Sequence, residues 1–86
     1  MRISGKILIE VFTPGNGKTY EFQLDGSMTA ASAKSRIIDE ILRIEEQSMS
    51  FHEETQLYDM TLETVLPDNA PLSAVNVESG HKLLLV

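Results

Sequence analysis

The chain has 86 residues, 42% hydrophobic and 23% charged, with a formal net charge of -6 and no cysteine. That length holds one small core and is too short for two domains, and the lack of cysteine excludes disulfides, thiolate nucleophiles and cysteine-ligated zinc. Asp39, Glu40, Glu45, Glu46, Glu53 and Glu54 stand against Arg43 alone in their segment, an acidity that repels phosphate backbones and anionic lipid and so argues against nucleic acid and membrane surfaces as partners.

Residues 1–86 are expected to form a single domain, with 1–5 as a flexible N-terminal extension. Lys6-Ile7-Leu8-Ile9-Glu10-Val11-Phe12 is rich in β-branched and aromatic residues and closes on Pro14-Gly15-Asn16-Gly17, the pattern of a strand entering a hairpin turn. Tyr20, Phe22 and Leu24 then alternate with Thr19, Glu21 and Gln23, which makes the return strand half-buried with the first three inward. After Asp25-Gly26-Ser27, Thr29 can cap a helix whose stripe is Ala30, Ala33, Ile37, Ile41 and Ile44, and which is expected to run from about Ala30 to Glu46. On its wet face Arg36 can pair with Asp39 and Glu40.

Gln56-Leu57-Tyr58-Asp59-Met60 reads as a short strand and Val65-Leu66 as a shorter one. Pro67-Asp68-Asn69-Ala70-Pro71 is a loop, because its prolines break regular pairing, and Gly80 leads into a terminal strand, Lys82-Leu83-Leu84-Leu85-Val86. The order ββαβ(β)β gives an α+β class, a small mixed sheet packed on one helix. Ile7-Leu8-Ile9 and Leu83 to Val86 are apolar on both faces, the mark of strands buried in the middle of a sheet.

If those two strands pair centrally, the helix covers Ile7, Ile9, Val11, Leu83 and Leu85. The opposite face then carries Leu8, Phe12, Leu84 and Val86, with Tyr58 and Met60 from the neighbouring strand. One helix covers one face only, so these six residues are the candidate protein-binding surface, or the interface of a homodimer.

The architecture, together with the ending "LPDNAPLSAVNVESGHKLLLV", resembles the ubiquitin-like β-grasp. Leu66, Asp68, Leu72, Ser73, Asn76 and Val77 occupy the positions of the loop that leads into the apolar last strand of that fold. By the same alignment Val86 corresponds to the last-strand valine of ubiquitin's apolar recognition patch, and Met60 falls near its central isoleucine. The second half, with Thr55-Gln56-Leu57, Met60-Thr61, Leu66, Leu72, Val77, Gly80, Leu83 and Leu85, is similar to the YukD/EsaB family. The resemblance implies a non-catalytic, cytosolic accessory or regulatory component of a bacterial type VII (WXG100) secretion system. The chain departs from the pattern in Leu62-Glu63-Thr64, which lacks the glycine often found in that turn, and in the acidic stretch at the end of its helix.

No catalytic, cofactor-binding or metal-binding residues are expected. Ubiquitin and related sulfur carriers work through a C-terminal Gly-Gly, whereas this sequence ends Leu84-Leu85-Val86, so conjugation and sulfur transfer are not expected. His52 beside Glu53 and Glu54, with His81 remote in sequence, falls short of the three or four converging ligands of a metal site; both histidines read as exposed loop residues. No nucleophile signature accompanies the serines.

Thr13-Pro14-Gly15-Asn16-Gly17-Lys18-Thr19 ends like a phosphate-binding loop, but that motif needs a glycine where Phe12 stands and a helix after the threonine. A strand follows, so the stretch reads as a hairpin tip, an edge of the binding face. No run reaches the length of a membrane span and the first residues lack the long apolar run of a signal peptide, so the expected location is the cytoplasm. Two other classes stay open: a small ubiquitin-like subunit of a multicomponent enzyme of the monooxygenase type, and a self-associating structural protein.

Overall fold

A computed structural model describes residues 5–46 and 48–86. Apart from Gly5, the anticipated N-terminal extension lies outside the described residues. Strand β1 (Lys6–Thr13) and strand β2 (Lys18–Asp25) form an antiparallel hairpin, followed by helix α1 (Ala30–Ile44), strands β3 (Leu57–Asp59) and β4 (Thr64–Val65), a 3-10 turn (Leu72–Val75) and strand β5 (Lys82–Leu85). The five strands lie in the order β2-β1-β5-β3-β4. β5 runs parallel to β1, with Val11 beside Leu83 and Phe12 beside Leu84, and antiparallel to β3, with Tyr58 beside Leu84.

The helix forms where its cap and its stripe agree. Thr29 Oγ1 accepts a hydrogen bond from Ser32 N at 3.1 Å, a cap of the kind that contributes about 1 kcal/mol. Ala30, Ala33, Ile37 and Ile41 are buried and face Ile9, Val11, Phe22, Leu24, Leu57, Leu83 and Leu85 in the core. The inward alternation of Tyr20, Phe22 and Leu24 holds, and the two-faced apolar strands β1 and β5 are the sheet's centre because they must be flanked on both sides.

The helix stops at Ile44, two residues short of the expected end, and Ile44 is 57% exposed rather than part of the core stripe. Glu45 N bonds back to Ile41 O, and Glu46 turns out of the helix with a left-handed φ of 54°. Met49 and Phe51 pack against this end of the core instead. Along the wet face Glu40 pairs with Arg43 at 3.0 Å, one turn later than the Arg36 pairing expected from spacing.

β3 is shorter than its apolar signature because Asp59, on the inward face and fully buried, turns the chain. Its Oδ1 accepts Thr61 N and Leu62 N at 2.8 and 2.9 Å. The glycine-free turn is completed by Glu63 in the left-handed region, φ 60°, with its N–H on Asp59 O. A carboxylate that caps two amides makes this turn without glycine.

Candidate functional site

Register fixes which side chains share the uncovered face. Phe12, Leu84, Tyr58 and Val65 are successive partners across β1, β5, β3 and β4, so they form one apolar row that runs nearly the width of the sheet. The next row is Glu21, Glu10 and Lys82, with Met60 N bonded to Lys82 O at 2.8 Å. On the other side of the apolar row Val86 exchanges hydrogen bonds with Gln56 in both directions, at 2.7 and 3.0 Å.

The six candidate residues are therefore all on the face away from the helix, but unequally placed. Phe12, Tyr58 and Leu84 are half-buried against each other within the row. Met60 at 44% and Val86 at 53% exposure flank it on opposite sides. Leu8 is exposed but lies four residues along β1 from Phe12, beyond Glu10 and Lys82. Val65, opposite Tyr58 and 41% exposed, extends the row and was missed as a site residue. Its signal was present: a strand next to Tyr58 must put one of its two residues on Tyr58's face.

His81 differs from the sequence expectation. Its side chain is only 14% exposed, and Nδ1 lies 2.8 Å from Asp59 Oδ2. The carboxylate can only accept there, so Nδ1–H donates. Asp59 thus joins the end of β3 to the start of β5, a contact that a separation of 22 positions hides from sequence periodicity. His52 is exposed. Among the described residues no three His, Cys, Asp or Glu side chains are grouped to hold a metal ion, and no helix is long and apolar enough to cross a membrane.

The TPGNGKT tip is tied to the helix end through Asn16 and Lys18, while Thr19 at its close is the register partner of Phe12 and borders the open face. Asn16 N and Gly17 N both bond to Thr13 O, with Gly17 at φ 69° closing the turn. Thr13 Oγ1 bonds Asn16 Oδ1, and Asn16 Nδ2 reaches Tyr20 OH at 2.9 Å. Tyr20 OH donates to Glu45 Oε2 at 2.6 Å, and Lys18 Nζ sits 3.2 Å from the same carboxylate. The Tyr20 hydroxyl first, and then Lys18, hold the Glu45 carboxyl below the usual range. A strand leads away from the lysine, so its ammonium ties the hairpin to the helix end and does not face a phosphate cradle.

With this geometry in hand, known structures identify the architecture. A chain from a structure of molecular mimicry of SUMO that promotes DNA repair superposes with a TM-score of 0.72 at 15% identity, covering 100% of this chain and 95% of that one. The fold is that of ubiquitin. The ubiquitin-like domain of an Arabidopsis thaliana protein matches with a TM-score of 0.70 at 21% identity, over 100% of this chain and 81% of that one. Ubiquitin of Caldiarchaeum subterraneum matches with a TM-score of 0.69 at 18% identity, over 94% of this chain and 91% of that one. No protein-family model matches the sequence, and no curated protein does. The ubiquitin-like β-grasp is thus established by shape; identities this low carry no function with them.

Proposed function

We propose that this ubiquitin-like domain is a non-catalytic protein-interaction module that docks through the uncovered sheet face, with Phe12, Leu84 and Tyr58 at the centre and Met60, Val86 and Leu8 around them. The observation that carries the reading is the apolar row Phe12, Leu84, Tyr58 and Val65 across four strands, over which the described residues lay no second layer. A continuous apolar strip of this kind gains free energy when a partner covers it. The finer proposal is that the partner belongs to a bacterial type VII (WXG100) secretion system, with the module acting in the cytoplasm as an accessory or regulatory component. Its support is the likeness of the second half, from Thr55-Gln56-Leu57 to Leu83 and Leu85, to the YukD/EsaB family.

The test is a pull-down from host cells with the wild type, Leu84→Lys and Met60→Lys, with circular dichroism to confirm that the variants fold. Recovery of secretion components by the wild type and their loss with the folded variants supports the proposal. Undiminished recovery by both variants rules out the face. Recovery of diiron hydroxylase subunits instead supports the enzyme-subunit reading, and a wild-type dimer that Leu84→Lys converts to a monomer supports self-association.

A further inference from the structure

The two edges of the sheet are unlike. β4 is two residues long, whereas β2 at the other edge has eight and contains no proline. A short edge offers little to a pairing strand, and a long flat one is a template for it.

The backbone polarity of β2 follows from hydrogen bonds elsewhere. Glu10 N donates to His81 O and Gly80 N donates to Leu8 O, so Leu8 and Glu10 point their backbone groups towards β5. Alternation then turns those of Ile9, Val11 and Thr13 towards β2, where their partners are Phe22, Tyr20 and Lys18. The N–H and C=O groups of Thr19, Glu21 and Gln23 consequently face outward, on the side where the described residues place no further strand.

Charge selects what can pair there. Glu21 and Glu10 are direct cross-strand partners, a like-charge pair in the closely spaced, non-hydrogen-bonded register, which is destabilising. Lys82 lies on the far side of Glu10, leaving Glu21 at the edge with an unopposed carboxylate. Asp25, on the same face of β2, is held ionised by the backbone N–H and hydroxyl of Ser27 and by Lys6. Two copies pairing through β2 about a twofold at Glu21 would set that residue against itself, on chains that each carry -6.

We propose that the free edge of β2 accepts an extended basic segment of another protein as a sixth strand, bonded to Thr19, Glu21 and Gln23 and with Lys or Arg opposite Glu21. Its basic side chains lie on the open face and its alternate apolar ones beside Tyr20 and Phe22. Main-chain bonds supply affinity and the opposed charge sets register. This surface is separate from the apolar row, so either can exist without the other.

The probe is a synthetic peptide, acetyl-Lys-Val-Lys-Val-Lys-Val-Lys-amide, followed by NMR titration and amide hydrogen exchange on the 15N-labelled protein. The expected result is slowed exchange at Thr19, Glu21 and Gln23 and binding weakened about five- to tenfold by Glu21→Lys, from replacing an opposite-charge pair with a like-charge one. Leu84→Lys should leave peptide binding within about twofold. The proposal is overturned if a peptide N-methylated at its lysine amides binds equally well, since charge without strand pairing then suffices. It is also overturned if Leu84→Lys abolishes binding, which would put the peptide across the apolar row instead of on the β2 edge. Concentration-dependent protection of the same three amides without peptide would overturn it in favour of self-pairing.

Discussion

Replacing Asp59 tests whether one buried carboxylate holds the β3 turn and the start of β5 together. In Asp59→Ala, Thr61 N and Leu62 N lose their acceptor, but both residues are exposed; water recovers part of the loss, leaving about 0.5 to 1 kcal/mol each. His81 Nδ1 is left in a site only 14% exposed, where an unmet donor costs about 1 to 3 kcal/mol. The sum is about 3 kcal/mol. With a slope of about 1 kcal/mol/M for a domain this small, the urea midpoint should fall by about 3 M, and the melting temperature by about 12 to 24 °C. Asp59→Asn keeps an oxygen for the two amides, and the histidine can meet the new NH2 as an acceptor through its other tautomer, so its loss should be about 1 kcal/mol. Urea unfolding followed by circular dichroism measures both. A loss below about 1 kcal/mol in Asp59→Ala, or an Asn variant as unstable as the Ala variant, would refute the reasoning.

Gly17→Ala should cost about 1 kcal/mol in thermal unfolding, because its φ of 69° is unfavourable for a side chain although the space is open. Gly15→Ala should be neutral within about 0.5 kcal/mol, since its added methyl meets only Met49 Cε at 3.9 Å. The lowered Glu45 carboxyl predicts an acid-sensitive hairpin tip: its contribution is fully present above the unfolded carboxylate value of about 4.3 and is lost as pH falls through the folded value. The gap in melting temperature between wild type and Glu45→Gln should therefore be constant near neutrality and close below that range; a gap that stays open at the acid end contradicts the assignment.

The ubiquitin-like frame was legible because its determinants are periodic. The stripe from Ala30 to Ile41, the alternation from Thr19 to Leu24 and the unbroken apolar runs of β1 and β5 each state how many faces are covered. Alternation likewise tells on which side Phe12, Tyr58 and Leu84 fall; whether they bind protein is a matter for the variants above. What stayed hidden was contact between distant polar residues. Asp59 reads as a break in a strand and His81 as a loop residue until the fold sets them side by side. Lys18 and Glu45, 27 positions apart, look like solvated charges and are instead the clasp between the hairpin tip and the helix end. Ile44 failed in the opposite sense: the stripe continues through it, but the chain turns at Glu45 before the core needs it.

The central pairing of β1 with β5 also sets an order on folding. Leu8 N bonds to Ser79 Oγ across 71 positions, and the strands of this pair come from the two halves of the sequence. A chain emerging from the ribosome can form the hairpin and the helix early, because their contacts are local, but the sheet has no middle until residues 82–85 arrive. Closing so long a loop makes that last step slow. Until then Glu10, Val11 and Phe12 lack their β5 partners Lys82, Leu83 and Leu84, and β1 is a second open edge for chaperones or for stray strands.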